Sequence, residues 1–205
     1  LSAESVHATY EEYLDKLFEE KKKVATELIY LLPRLNEDIA HPPLQFLYKE
    51  VIECFVLGIP GAAITMSIIM LELALKYRLY DERTLSDPNA KWDAIEQLDL
   101  MGATNGLKNA GVITEDERKE LEKFNKGERN PYLHYNIKTI VNDINVSRLP
   151  SINIKTGEEM HLTNVNASDH SPTWFLAKKV RDKKAVVHIL SFCVHWANKL
   201  LINPS

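Results

Sequence analysis

Disulfides, a basic surplus and long apolar runs are all scarce in this chain of 205 residues. Cys54 and Cys193 are the only cysteines, and each sits inside an apolar run, so both are expected to be buried free thiols. Two such thiols build no disulfide framework, and a reducing cytoplasm is the default compartment. The formal net charge is −4 and the pI near 6.0, which argues against a general nucleic-acid coat protein but leaves room for a small local RNA site. Residues 54–71 carry no charge, yet Gly58, Pro60 and Gly61 interrupt the run and Glu72 and Lys76 follow it. That pattern predicts two buried helices meeting at a turn, not a membrane span. The chain opens at Leu1, with neither Met nor a basic-then-apolar signal pattern, and is expected to be a trimmed or excerpted piece.

Motifs for several chemistries are missing too. There is no Cys-x-x-Cys, no His-Glu-x-x-His and no Gly-x-Ser-x-Gly. No Gly-rich phosphate loop follows a strand, and no acid cluster is placed for a two-metal nuclease. His188 and His195 share a helical face but lie about 10.5 Å apart along it, too far for one ion. Cys193 and His195 point to different sides, and His161 and His170 fall in a surface stretch. No metal or cofactor is therefore expected, and any phosphate chemistry would be metal-independent.

What is present is a normal globular balance, 45% hydrophobic and 26% charged, enough for a core and for one domain over 1–205. Periodicity predicts a first helix from a Ser2 cap to about Leu32, its apolar stripe running Tyr10, Leu14, Leu17, Phe18, Val24, Leu28, Ile29 and Leu32. Its Lys21-Lys22-Lys23 triplet reads first as a solvated face. Pro42-Pro43 opens a second helix over 44–57. The most apolar segment, 62–79, is expected to be the central helix, with Thr65, Glu72 and Lys76 on one polar stripe. Glu72 and Lys76 form an i,i+4 pair in the favourable order, and Glu72 can also orient Arg129 or His134. A polar loop is expected over 81–90, a short helix from Trp92 to Gly102 and another turn of helix to Gly111. The capping box of Thr114 and Glu117 then starts a charged helix to about Lys126.

Residues 145–171 break the helical pattern. Ser151 to Lys155 alternates, Thr156-Gly157 turns, and Met160-His161-Leu162 can pair back as a hairpin. A final helix over 172–202 carries Trp174, Phe175, Leu176, Val180, Val187, Leu190, Val194 and Leu201. Its Lys178, Lys179, Arg181, Lys183 and Lys184 form the densest basic cluster, which with Lys138 supplies candidate RNA contacts beside the plainer reading of a solvated face.

The chemistry concentrates in Gly127-Glu128-Arg129-Asn130-Pro131-Tyr132-Leu133-His134-Tyr135-Asn136. Pro131 suits a first helical turn and Asn130 an N-cap, with Gly127-Glu128 a hinge delivering Arg129. Leu133, Ile137, Ile140, Val141 and Ile144 then fall on one face of a helix, with His134 at its edge. By composition about one such chain in four carries an Arg-x4-His pair by chance, and Asn directly after the Arg lowers this to about one in sixty. A permanent guanidinium and a titrating imidazole can act on a phosphate: His134 as general acid or base, Arg129 on the phosphorane oxygens, with the RNA 2′-OH as nucleophile. The plainer alternative pairs Arg129 with an acid such as Glu128 and packs His134 at a helix boundary.

Arg129-Asn130-x-x-x-His134 resembles the Arg-x4–6-His motif of the HEPN superfamily (higher eukaryotes and prokaryotes nucleotide-binding). Gly58 to Leu75 is similar to the central helix of those domains, and the resemblance covers about 43–144. It implies an all-α, HEPN-like helical bundle around the 62–79 helix, with 145–171 as a small β-hairpin or irregular insertion. It also implies a metal-independent endoribonuclease of phage defence or toxin–antitoxin systems, leaving 2′,3′-cyclic phosphate ends. Arg129, His134 and Asn130 would be catalytic, with Glu72 and Tyr135 in support. A homodimer with a composite site is implied, as is an antitoxin or fused regulatory domain as partner. Some members carry an adenylylated Tyr two residues after the His; here Asn136 stands there and Tyr135 follows the His directly. The alternatives are a non-catalytic nucleotide-, RNA- or protein-binding module and a structural dimerisation domain of a longer protein.

Overall fold

The computed structural model describes residues 3–152, 155–157 and 159–202. Helices make up 73% of it and the sheet is one antiparallel hairpin, so the protein is all-α with a small β insertion. Among the described residues no helix is long and apolar enough to cross a membrane.

Helix α1 (Ala3–Leu28) runs into a 3-10 turn at Ile29–Leu31 ahead of Pro33. Ser2, the expected cap, lies outside the described residues. Much of the expected α1 stripe is open: Tyr10, Leu14, Phe18 and Ile29 are exposed, Leu17 and Leu32 are half-buried, and Ala25 is the one buried residue among the described side chains of α1, the side chains of Val24 and Leu28 lying outside the description. The helix meets the body near its end, where Lys21 Nζ donates to the Gly58 carbonyl (3.3 Å). Helical spacing makes a stripe but does not decide whether anything covers it.

Helix α2 (Pro42–Val56) and helix α3 (Pro60–Ser86) each start on proline and are separated by a turn with Gly58 at φ +67°. The expected polar loop at 81–86 is instead the last part of α3. There Arg78 pairs with Glu82 one turn on, His41 pairs with Asp81 (3.5 Å), and Tyr77 stacks on His41 with ring centroids 4.3 Å apart. These contacts outweigh the polar composition that suggested a loop.

Helix α4 (Asp93–Glu96) is a single turn, and helix α5 (Leu100–Asn109) begins where Asp99 accepts from the Gly102 N–H (2.7 Å). Gly102 therefore lies inside a helix and does not end one. Gly106 lets α5 cross α3 closely, since a Cβ there would meet Leu79 Cδ2 at 2.7 Å. The capping box at Thr114 starts α6 (Glu115–Phe124) as expected: Glu117 N–H donates to Thr114 Oγ1 (3.3 Å) and Thr114 N–H to a Glu117 carboxylate oxygen (2.6 Å).

Helix α3 packs against α2, α5 and the last helix, α9 (Trp174–Leu201). Ile64, Ile68, Leu71 and Leu75 of α3 are fully buried with Val51, Leu107, Ile189, Leu190 and Trp196. One stripe of α3 stays open: Ala62, Thr65, Met66, Ile69, Glu72, Leu73 and Lys76 are all partly or fully exposed. From Ala62 to Lys76 the central helix is thus open along the stripe that bears Thr65, Glu72 and Lys76, while Ser67 is buried with its hydroxyl donating to the Ala63 carbonyl (2.6 Å).

The insertion is a hairpin of β1 (Asn145–Ile152) and β2 (Glu159–Asn166), with Ser151 opposite Met160 and Leu149 opposite Leu162. Asn153 and Ile154, part of the expected alternation, lie outside the described residues. Ala167 N–H to the Ile144 carbonyl (2.8 Å) closes its base. Helix α9 follows a 3-10 turn at Ser171–Thr173. Phe175, Leu176 and Val180 are exposed, so the apolar stripe expected along this helix is core only from Ala185 onward together with Ala177. Cys193 is fully buried, whereas Cys54 is only partly so; burial pushes both thiols up, assisted at Cys54 by Glu50 and Glu53.

Candidate functional site

Helix α6 does not stop at a hinge. It passes into a π-helical turn, Asn125–Arg129, and on into α7 (Asn130–Leu133). Pro131 supplies the reason: it has no N–H to donate, and in an α-helix its ring would collide with the carbonyl four residues back. Widening the preceding turn, with Asn130 N–H reaching the Asn125 carbonyl, lets the chain continue without that clash. Gly127 lies in this turn, and Asn130 is the first residue of α7 and not its N-cap.

The π turn aims Arg129 at the open stripe of α3. Its Nε and Nη2 donate to Glu72 Oε2 (3.2 and 2.8 Å), and Nη1 donates to Asn130 Oδ1 (2.9 Å). Lys76 pairs with the other Glu72 oxygen (3.0 Å) and donates to the Glu96 carbonyl (3.0 Å). Glu72 therefore orients Arg129, as one sequence reading expects, and also keeps its i,i+4 partner. Glu128, the acid proposed as the plainer partner of Arg129, pairs with Arg181 (3.1 Å). Two cations against one carboxylate leave the cluster with a formal charge of +1. Three of the five guanidinium N–H groups are engaged and two are left. The cluster borders a cavity of about 240 Å³ lined by Ile69, Glu72, Leu73, Lys76, Arg129 and Leu133.

His134 lies outside this network. It caps the C-terminus of α7 in a Schellman turn, with Asn136 N–H on the Pro131 carbonyl (2.8 Å) and Tyr135 N–H on the Tyr132 carbonyl (3.3 Å). The helix expected from Leu133 to Ile144 is interrupted here. Tyr135 takes φ +50°, the left-handed position that glycine usually fills, and α8 (Ile137–Ile140) starts afresh. Ile140, Val141 and Ile144 are buried all the same. His134 and Tyr135 are exposed, and among the described residues the imidazole has no hydrogen-bond or ion-pair partner. At 100° per residue, Arg129 and His134 diverge by about 140° around the axis, while His134 lines up with Asn130.

A second cluster ties α7 to α9. The Tyr132 hydroxyl donates to Asp182 Oδ1 (2.8 Å), and Lys178 Nζ pairs with Asp182 Oδ2 (2.5 Å). Burial, then the bond to Asp182, pushes the Tyr132 phenol well up. Lys178 Nζ stands over the rings of Tyr132 (5.3 Å) and Tyr135 (5.8 Å). Arg181 bonds Glu128 and approaches Asp143 (3.7 Å). Of the expected basic cluster, Lys178 and Arg181 are thus engaged internally, whereas Lys179, Lys183, Lys184 and Lys138 are exposed without an ion-pair partner among the described residues.

Lys76 as a second cation of the site, and the buried pair Tyr132 and Asp182, were not singled out from sequence. The available signals were the spacing of Lys76 on the Glu72 stripe and a lone acid four residues after Lys178. Among the described residues no three His, Cys, Asp or Glu side chains are grouped to hold a metal ion. No family model, curated protein or solved structure matches this chain.

Proposed function

We propose that the protein is a metal-independent endoribonuclease of the HEPN type, acting in phage defence or as a toxin-like RNA-cleaving protein of the cytoplasm. The observation that carries this is Arg129, held by Glu72 beside Lys76 in a net-positive cluster at an open cavity, five residues before a solvent-facing His134 that has no partner among the described residues. The two spare guanidinium N–H groups and Lys76 bind the scissile phosphate and stabilise the charge that grows on its oxygens. His134 takes the proton from the 2′-OH or returns one to the leaving 5′ oxygen. The phosphorus–5′-oxygen bond breaks as the 2′-oxygen bond forms, leaving a 2′,3′-cyclic phosphate and a 5′-OH. Asn130 holds Arg129 in place, and Lys138, Lys179, Lys183 and Lys184 steer the RNA.

One imidazole does not serve readily as both base and acid, and His134 diverges from Arg129 of its own chain. Both points favour a homodimer in which two motif segments face each other and form a composite site, under the control of an antitoxin or fused domain. A second reading, a non-catalytic anion- or RNA-binding module, is favoured by His134 standing apart from the Arg129 network.

The deciding experiment is cleavage of mixed RNA in EDTA by wild type, Arg129→Ala and His134→Ala. The ribonuclease reading expects cyclic phosphate ends, lost in both variants while folding is kept. A well-folded wild type that leaves several RNAs intact supports the binding module, and cleavage surviving both substitutions refutes this site.

A further inference from the structure

Beside the phosphate cluster on the same stripe of α3 lies a cavity of about 420 Å³, lined by Gly61, Ala62, Thr65, Met66, Tyr132, Tyr135 and Lys178. We infer that it is a nucleobase subsite, in which a base of single-stranded RNA stacks on the exposed Tyr135 next to the nucleotide whose phosphate Arg129 and Lys76 hold. This rests on the RNA reading proposed above and names where the strand's sequence preference arises.

Tyr135 is the first argument. It occupies the left-handed turn position that suits glycine, and the residue is 66% exposed with only the Lys178 ammonium over its ring (5.8 Å) among the described residues, so neither the backbone nor the core explains a large aromatic residue there. A strained backbone that presents an aromatic ring to solvent points to a ligand for the ring.

The walls are the second argument. Ala62 and Met66 offer apolar surface, and Thr65 Oγ1 donates to the Gly61 carbonyl (3.0 Å), leaving its lone pairs to accept. Lys178 spends one N–H on Asp182 and keeps two that can meet a base carbonyl or ring nitrogen. Because the ammonium already stands over both rings, a cationic peptide side chain is disfavoured, whereas a flat, uncharged, acceptor-rich ring is suited. Gly61 makes room for the Lys178–Asp182 pair at the edge of the cavity, since a Cβ there would lie 2.8 Å from Asp182 Oδ2 and 3.1 Å from Lys178 Nζ.

Position is the third argument. Thr65 of this cavity and Glu72 of the other are seven residues apart on one face of α3, about 10.5 Å along the axis. That is within the reach of one nucleotide from its base to a neighbouring phosphate.

The test uses a single-stranded oligonucleotide that lacks every 2′-OH and so cannot be cleaved, carrying 2-aminopurine at one position. Binding by anisotropy and quenching of the 2-aminopurine are compared for wild type, Tyr135→Ala and Tyr135→Trp. Stacking predicts that Tyr135→Ala weakens binding about 10-fold or more and abolishes quenching, while Tyr135→Trp retains both. An abasic residue at the quenched position should weaken wild-type binding by a similar factor and leave Tyr135→Ala unaffected. Equal binding by all three folded proteins, no loss with the abasic strand, or no binding by wild type overturns the subsite. Cleavage in EDTA is scored separately: binding that depends on Tyr135 in a chain that cleaves nothing keeps the subsite and removes the ribonuclease. Cleavage with binding indifferent to Tyr135 does the reverse.

Discussion

Glu72→Ala tests the physical basis of the site. The substitution removes the one anion between two cations, and the side chains of Arg129, Glu72 and Lys76 are only 13%, 19% and 13% exposed. Deleting one partner of a fully buried pair costs about 3–5 kcal/mol, and an exposed pair is worth about 0–1 kcal/mol. Residual access to water places this site between those limits, so a loss of about 2 kcal/mol is expected, or about 4–8 °C in Tm for a chain of this length. Arg129→Ala should cost less, because Glu72 keeps Lys76 as partner. In urea unfolding at pH 7, the double variant should then be more stable than the sum of the singles implies by about 1 kcal/mol, with an unchanged m value. In RNA cleavage, Glu72→Ala should reduce the rate in the wild-type background and do little once Arg129 is gone. A Glu72→Ala protein within about 0.5 kcal/mol of wild type, or strict additivity with Arg129→Ala, would refute the claim that Glu72 holds the guanidinium.

Two further outcomes follow from the packing and the charges. Gly106→Ala should destabilise by about 1–3 kcal/mol despite the better helix propensity of alanine, because the new Cβ meets Leu79, which is 2% exposed and walled in; unchanged thermal unfolding would contradict the close crossing of α5 on α3. Glu117, hydrogen-bonded first by Lys199 and then by the Thr114 backbone, is held at about 2 against an ordinary 4.5. Between those values the unfolded chain takes up the proton before the folded one, so this stabilisation is full above pH 4.5 and fades as the pH falls toward 2. Lys199→Met should flatten that acid loss by roughly 1 kcal/mol at most, since both groups are partly exposed, as read from urea midpoints at pH 7 and pH 2.5.

Much of this protein is decided locally and was legible in the chain. The Thr114 capping box, the proline starts of α2 and α3, the turn at Gly58 and the Thr156-Gly157 hairpin reversal each depend on residues within a few positions of one another. Their physics is that of caps, fixed φ angles and period-2 alternation, which needs no distant partner. The all-α class and the central place of α3 followed from the same local periodicity. What spacing did not carry was the π turn, whose cause is Pro131 inside a helix that otherwise continues, and the break at Tyr135, which has no Gly to announce it. The extension of α3 to Ser86 depended on His41 and Trp92, residues from other parts of the chain. The partner of Arg129 was decided only by the tertiary structure. Glu128 is adjacent in sequence, but the helix directs it to Arg181 on α9, and a carboxylate 57 residues away takes the guanidinium. Likewise five basic residues near the start of α9 look alike in sequence, and the fold turns Lys178 and Arg181 inward onto Asp182 and Glu128. A sequence specifies which charges exist and which helical face they occupy; which opposite charge lies within 3 Å is set by how the helices pack.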